Sequence, residues 1–190
     1  MSMRDSCCAA GVAAGPEARG VEVWGQLGFG GGKVTQQAQR DAILAVLRRC
    51  SLFEGFDEQR LVKLAELCRP RVCGLGDVLF SEREEARDLF LVNTGRIDIL
   101  ISLGSGRTAR VSTVIDAGVC GWSALMESQT YTASAICVEP SAVLALSAKA
   151  LEAVLVGEDH LRYLVMQRLA AVISARLKET RLQLISMLYS

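Results

Sequence analysis

Seven cysteines, one histidine and a triple glycine beside a lysine are the first residues here with the types needed for metal, nucleophile or phosphate chemistry. The cysteines are Cys7, Cys8, Cys50, Cys68, Cys73, Cys120 and Cys137. Their spacing is irregular and contains no Cys-x-x-Cys pair. His160 alone supplies no second imidazole, so no zinc, haem or iron–sulfur site is expected. An odd count, with no apolar stretch after Arg4, also argues against a secreted disulfide scaffold. Most of these cysteines read as small core residues in a reducing cytoplasm. Gly32-Lys33 suggests a phosphate loop, but Leu27 holds the place of its first glycine and Val34 follows the lysine. Lys33 also occupies the third glycine position of the dinucleotide fingerprint that Gly28 and Gly30 begin. Gly121-x-Ser123 opens like a nucleophile elbow, yet Leu125 replaces the second glycine and no histidine partner lies nearby. With no nucleophile–base pair and no acidic dyad, no enzymatic activity is expected.

One stretch still carries chemistry: Gly121-Trp122-Ser123-Ala124-Leu125-Met126, followed by Tyr131-Thr132-Ala133-Ser134. Gly121 permits close backbone approach. Trp122 to Met126 fits one turn of helix whose opening amides lack intrahelical acceptors, which favours an anion. The indole of Trp122 has two readings, a platform for a flat ligand or a plug in a disused pocket.

The elements that must position this stretch follow from periodicity. A helix is expected from Thr35 to Cys50 on the spacing of Ile43, Leu44 and Leu47, and a second from Asp57 to Cys68, stopped by Pro70. The period then changes to two. Ile97, Ile99, Ile101 and Leu103 share one face, Gly104-Ser105-Gly106 makes a hairpin turn, and Arg107 to Ile115 returns. Further short runs at Val78 to Phe80, Leu89 to Val92, Thr130 to Val138 and Ala142 to Leu146 indicate an antiparallel sandwich or barrel. A short helix follows from Ala148 to Val156, with a break at Gly157. A long helix then runs from Glu158 to Leu188, striped by Leu161, Leu164, Val165, Leu169, Val172, Ile173, Leu177, Leu184 and Leu188. At about 1.5 Å per residue it spans roughly 45 Å, more than a small barrel covers, so part of the stripe is expected to meet a second copy. The domain reading is a flexible tail over 1–36, a β-barrel with short flanking helices over 37–157, and the long helix over 158–190.

Composition narrows the function further. Of 190 residues, 51% are hydrophobic and 22% charged, the balance of a globular chain. Lys+Arg and Asp+Glu are 21 each, so no overall basic charge marks a nucleic-acid coat. Mean hydropathy is +0.29, yet no apolar run is long enough for a membrane helix.

The order of elements resembles the cyclic-nucleotide-binding domain of the CRP/FNR type over Leu52 to Leu188. The residues that carry the likeness are Leu52-Phe53 with Gly55, Gly76-Asp77-Val78-Leu79-Phe80, Asp88 to Val92 with Gly95-Arg96-Ile97, and the cassette GWSALMESQTYTASA. The resemblance implies a mainly β fold, an antiparallel double-stranded β-helix (jelly-roll) barrel with N-terminal helices and a long C-terminal helix. It places ligand contacts at Gly121, Trp122, Ser123, Ala124, Leu125, Tyr131, Thr132 and Ala133. In the family a Glu follows the glycine and holds the ribose 2′-hydroxyl, and an Arg ten residues after the glycine pairs with the cyclic phosphate. Trp122 and Tyr131 stand there instead. Losing about 3 kcal/mol of charge-assisted bonding weakens binding about a hundredfold. Cyclic AMP or cyclic GMP is therefore expected to bind weakly, or a different small nucleotide-like ligand takes the barrel, unless another arginine arrives; Arg83, Arg87 and Arg110 are the candidates.

The resemblance thus implies a cytoplasmic regulatory sensor that signals through its C-terminal helix, with Gly157 as hinge, and forms a homodimer through that helix. The alternatives are a non-binding dimeric scaffold with a plugged pocket, engaging a protein partner, or the sensor half of a CRP/FNR-type transcription regulator. Those regulators carry a helix-turn-helix after the long helix; none follows here before Ser190, so direct DNA binding is not expected, nor is membrane contact.

Overall fold

The computed structural model describes residues 35–188. The expected tail over 1–36 lies outside them, except for Thr35 and Gln36. Thr35 caps helix α1 (Gln36–Arg49), its hydroxyl accepting the Ala38 amide. A 3-10 turn, Ser51–Phe53, leads to α2 (Glu58–Leu67), which Asp57 caps by accepting the Arg60 amide at 2.8 Å. Both caps satisfy an amide that the first helical turn leaves without a partner.

Eight antiparallel strands follow: β1 (Cys68–Cys73), β2 (Val78–Phe80), β3 (Asp88–Thr94), β4 (Ile97–Gly104), β5 (Arg107–Val114), β6 (Val119–Cys120), β7 (Ser134–Cys137) and β8 (Ser141–Ser147). They form two four-stranded sheets, ordered β1-β8-β3-β6 and β2-β7-β4-β5. Two helices complete the described residues, the short α3 (Ala148–Val154) and the long α4 (Asp159–Leu188), with the break between them at Gly157. This is the jelly-roll barrel with N-terminal helices and a long C-terminal helix that the resemblance implies, and it is one of the two forms, sandwich or barrel, that the strand spacing allows. Two strands escape the periodicity. Strand β1 begins where α2 ends, with Pro70 inside it rather than stopping a helix; Pro is tolerated because β1 is an edge strand. Strand β6 has only two residues, too few to show a period.

The sheet β1-β8-β3-β6 is buried on both sides. Along β3, Leu89 and Leu91 face the helices, while Phe90 and Val92 face the barrel interior. Along β8, Ala142, Leu144 and Leu146 face the helices, and Val143 and Ala145 the interior. That is why both strands read as unbroken apolar runs. The helical layer packs Ile43, Leu47, Leu61, Leu64, Leu151, Leu161, Val165 and Leu169 on this sheet. Sheet β2-β7-β4-β5 covers one core only, and β4 and β5 pass from buried at Ile97 and Val114 to exposed toward the hairpin turn that joins them.

α4 behaves in two halves. Leu161, Val165 and Leu169 are buried in the helical core. Further along, the stripe loses its burial: Leu177 is 49% exposed. Arg60, whose guanidinium bridges Asp57 and Glu158, ties α2 to the residue just ahead of α4.

The turn between β3 and β4 is held by Gly95, at φ +103°. A Cβ there would lie 2.7 Å from the Ser141 Cα and closer still to its hydroxyl. The backbone conformation and the clash each cost ~1–3 kcal/mol. Gly95→Ala is therefore expected to lower unfolding stability by about 3–5 kcal/mol in urea titration. Gly104→Ala, which meets nothing within 4 Å at a similar φ, should cost about a third of that. Equal losses would remove the steric part of this account.

Candidate functional site

Gly121 sits at φ +79°, and a Cβ on it would come within 2.9 Å of the Asp88 carbonyl oxygen. Only glycine lets β6 turn here while pressed against β3. The turn launches a four-residue 3-10 segment, Trp122–Leu125, rather than an α-helical turn. So short a segment has almost no macrodipole, and the expected anion site at its amides has little electrostatic basis.

Beside this turn lies a cavity of about 250 Å³. Its floor and walls are Phe80, Ile99, Ile101, Val111, Ser112, Cys120, Gly121, Trp122, Ser123, Thr132 and Ala133 from the barrel. Its remaining wall is α4, through Ile173, Arg176, Leu177 and Thr180. The indole of Trp122 forms a side of the cavity and does not plug it. Burial pushes the Cys120 thiol up to about 12, with Arg176 opposing weakly, so this wall residue is a neutral thiol.

Of the residues singled out by sequence, Gly121, Trp122, Ser123, Thr132 and Ala133 come together here. Ala124, Leu125 and Tyr131 do not line the cavity. Ala124 is buried in the barrel core and Leu125 packs between the two cores. Tyr131 is also buried, its ring stacked on Phe80 at 4.0 Å between centroids. Its hydroxyl donates to the Asp88 carbonyl at 2.8 Å and accepts the Asp88 amide at 3.3 Å. Burial raises its pKa, keeping the phenol neutral. Tyr131 therefore has no donor left to aim at a ligand; Thr132, the next residue, has the cavity-facing position.

The three arginine candidates also lie elsewhere. Arg83 is exposed beside Glu82, Arg87 pairs with Glu85 at 2.5 Å, and Arg110 lies 3.5 Å from Asp98. The guanidinium that does reach the cavity is that of Arg176, from α4. It donates to the Ser112 hydroxyl at 2.7 Å and stands over the Trp122 ring, 5.9 Å from its centroid. One turn on, Thr180 donates to the Val111 carbonyl at 3.3 Å. The signal was present in the sequence. Arg176 and Thr180 continue the face set by Leu161, Val165, Leu169 and Ile173, and polar residues on a helix's inward face call for a polar partner.

The family model of the cyclic nucleotide-binding domain matches residues 70–157. No curated protein is significantly similar in sequence. Many solved structures share the fold, three of them as follows. The regulatory domain of Toxoplasma gondii PKA with cAMP is 18% identical at a TM-score of 0.62, covering 71% of this chain and 51% of its own. The sensor domain of the transcriptional regulator DNR from Pseudomonas aeruginosa is 20% identical at 0.64, covering 74% and 94%. The regulatory subunit of a cAMP-independent protein kinase A from Trypanosoma brucei, as a triple mutant bound to cAMP with one introduced arginine, is 14% identical at 0.64, covering 80% and 52%. This chain thus spans about half the length of the two kinase regulatory chains. Barrel topology, the glycine-led turn between β6 and the cavity, and the family match agree: residues 70–157 are similar to the cyclic nucleotide-binding domain, and the solved structures share its barrel fold.

Proposed function

We propose that this chain is a regulatory ligand-sensing module, a binding rather than a catalytic domain, that reads a small molecule in the barrel cavity and reports it through α4. The observation that carries this reading is the shared wall: barrel and helix each supply part of the cavity lining. A ligand there contacts both, so it favours one helix setting over another, as population shift requires. The movable part in this reading is the half of α4 beyond Leu169, because Leu161, Val165 and Leu169 anchor the first half in the core.

Cyclic AMP or cyclic GMP binds weakly in this account. No arginine stands at Tyr131 or Thr132, and Trp122 offers no carboxylate to a ribose. The Trypanosoma brucei protein supports the logic, since the form of it bound to cAMP carries an introduced arginine. The compartment is a reducing cytoplasm. Cys50, Cys68, Cys73, Cys120 and Cys137 are free thiols, and no described helix is long and apolar enough to cross a membrane.

The active unit is a homodimer through α4. Tyr163, Met166, Leu177 and Ile185 are large apolar side chains left exposed along α4, Leu177 also forming an edge of the cavity wall. Their spacing suits a helix-to-helix seam. A further protein partner is the natural receiver of the signal, and direct DNA contact is no part of the reading.

Calorimetric titration of cyclic AMP and cyclic GMP is expected to give dissociation constants no tighter than about 10 μM, and Thr132→Arg to tighten them at least tenfold. Submicromolar binding by the unaltered chain would show that the missing charges are dispensable. Silence of both forms would favour the scaffold reading. Sedimentation should show a dimer that Tyr163→Lys with Met166→Lys converts to monomer. A dimer unaffected by that pair would place the interface away from α4.

A further inference from the structure

The ligand cavity has one fixed charge, and it is on the wrong element for the family pattern. We propose that Arg176, carried by α4, is the anion-binding residue of this cavity, and that its ligand is a small planar organic anion, an aromatic carboxylate of one or two rings stacked on Trp122. This rests on the reading of the cavity as a ligand site and names the chemistry of that site.

Charge sets the first condition. Among the lining residues Arg176 is the single ionised side chain, and no carboxylate lines the cavity. Among the described residues no carboxylate is within ion-pair reach of Arg176; its partners are the neutral Ser112 hydroxyl and the Trp122 ring. A guanidinium has five N–H donors in a fixed fork, of which Ser112 takes one. A half-buried fork beside a cavity is a ready match for a carboxylate and a poor one for a cation or a neutral molecule.

Size sets the second condition. A cavity of about 150 Å³ holds one benzene ring. The 250 Å³ here is nearer the size of one or two rings than of a cyclic nucleotide, which has roughly twenty non-hydrogen atoms. Shape and polarity set the third. Trp122, Phe80, Ile99, Ile101, Val111 and Ile173 supply apolar walls, the indole already lying under the guanidinium. A flat ring beside Trp122 keeps its acidic group at Arg176, and the remaining hydroxyls of Ser123 and Thr132 serve as secondary donors.

The consequence is regulatory. In the family pattern the anion is gripped by the barrel, and the helix follows. Here the helix itself supplies the grip. Arg176 lies one turn from Thr180, which bonds the Val111 carbonyl, so a ligand held by Arg176 pins this part of α4 to β5 directly.

The test uses the full chain, 2-naphthoate as the ligand and 2-naphthamide as its uncharged isostere, measured by calorimetry beside cyclic AMP. Naphthoate is expected to bind at least tenfold more tightly than naphthamide. Arg176→Met should erase that preference, Arg176→Lys should keep part of it, and Trp122→Leu should weaken both ligands. Thermal melts of each variant show whether the fold survives, and Arg176→Lys serves if Arg176→Met unfolds. Equal binding of acid and amide, a preference that survives Arg176→Met, or no naphthoate binding at millimolar concentration overturns the proposal. Cyclic AMP binding more tightly than naphthoate, without dependence on Arg176, overturns it too while leaving the sensing function standing.

Discussion

A sheet that is apolar on both faces is the constraint from which the rest of this molecule follows. Strands β3 and β8 present Leu89, Leu91, Ala142, Leu144 and Leu146 on one side and Phe90, Val92, Val143 and Ala145 on the other. Neither face can be left to water, since each buried side chain of this size is worth ~1.5–3 kcal/mol. The second sheet covers one face and closes the barrel. The other face needs helices, which fixes α1, α2, α3 and the first half of α4 against it. Once Leu161, Val165 and Leu169 are seated, the straightness of an α-helix carries Ile173, Arg176 and Thr180 past the mouth of the barrel. The cavity wall supplied by α4 is thus a geometric result of core packing at its other end.

The same logic divides the helix by stability. Its first half shares the global core. Its second half touches the barrel through a few polar contacts and two partly exposed apolar side chains. Segments held by few buried contacts open at lower free energy than the core. A binding event worth a few kcal/mol is enough to bias such a segment, and too small to move one anchored by a full apolar face. In the proposed function the movable part of α4 is therefore the half beyond Leu169, a second site of compliance beside the break at Gly157.

Much of the architecture was legible from residue order. The two-residue period of Ile97, Ile99 and Ile101, the hairpin glycines and the helical spacings after Ala148 locate most elements to within a few residues. The strands that escaped had physical reasons. Cys68 to Cys73 alternates poorly and carries a proline, and Val119-Cys120 is too short to repeat. The site was legible only in its local part. Gly121, Trp122, Ser123, Thr132 and Ala133 share a cavity because they are near in sequence and led by one glycine. The resemblance places a ligand contact at Tyr131, but its hydroxyl is spent on the Asp88 backbone, one residue out of phase with Thr132. Arg176 is 55 residues beyond Gly121, and contact across that separation depends on how the helix crosses the barrel, which spacing does not encode. Its place on the helix's inward face was the one clue.

The central claim is that the distal half of α4 is held on the barrel by its contacts at the cavity. Hydrogen–deuterium exchange of the α4 amides, in the unaltered chain and in Arg176→Ala, tests it most directly. The account predicts that protection over 170–180 falls in the variant while 161–169 keeps its protection. Unchanged protection over 170–180, or loss along the whole helix, would contradict it.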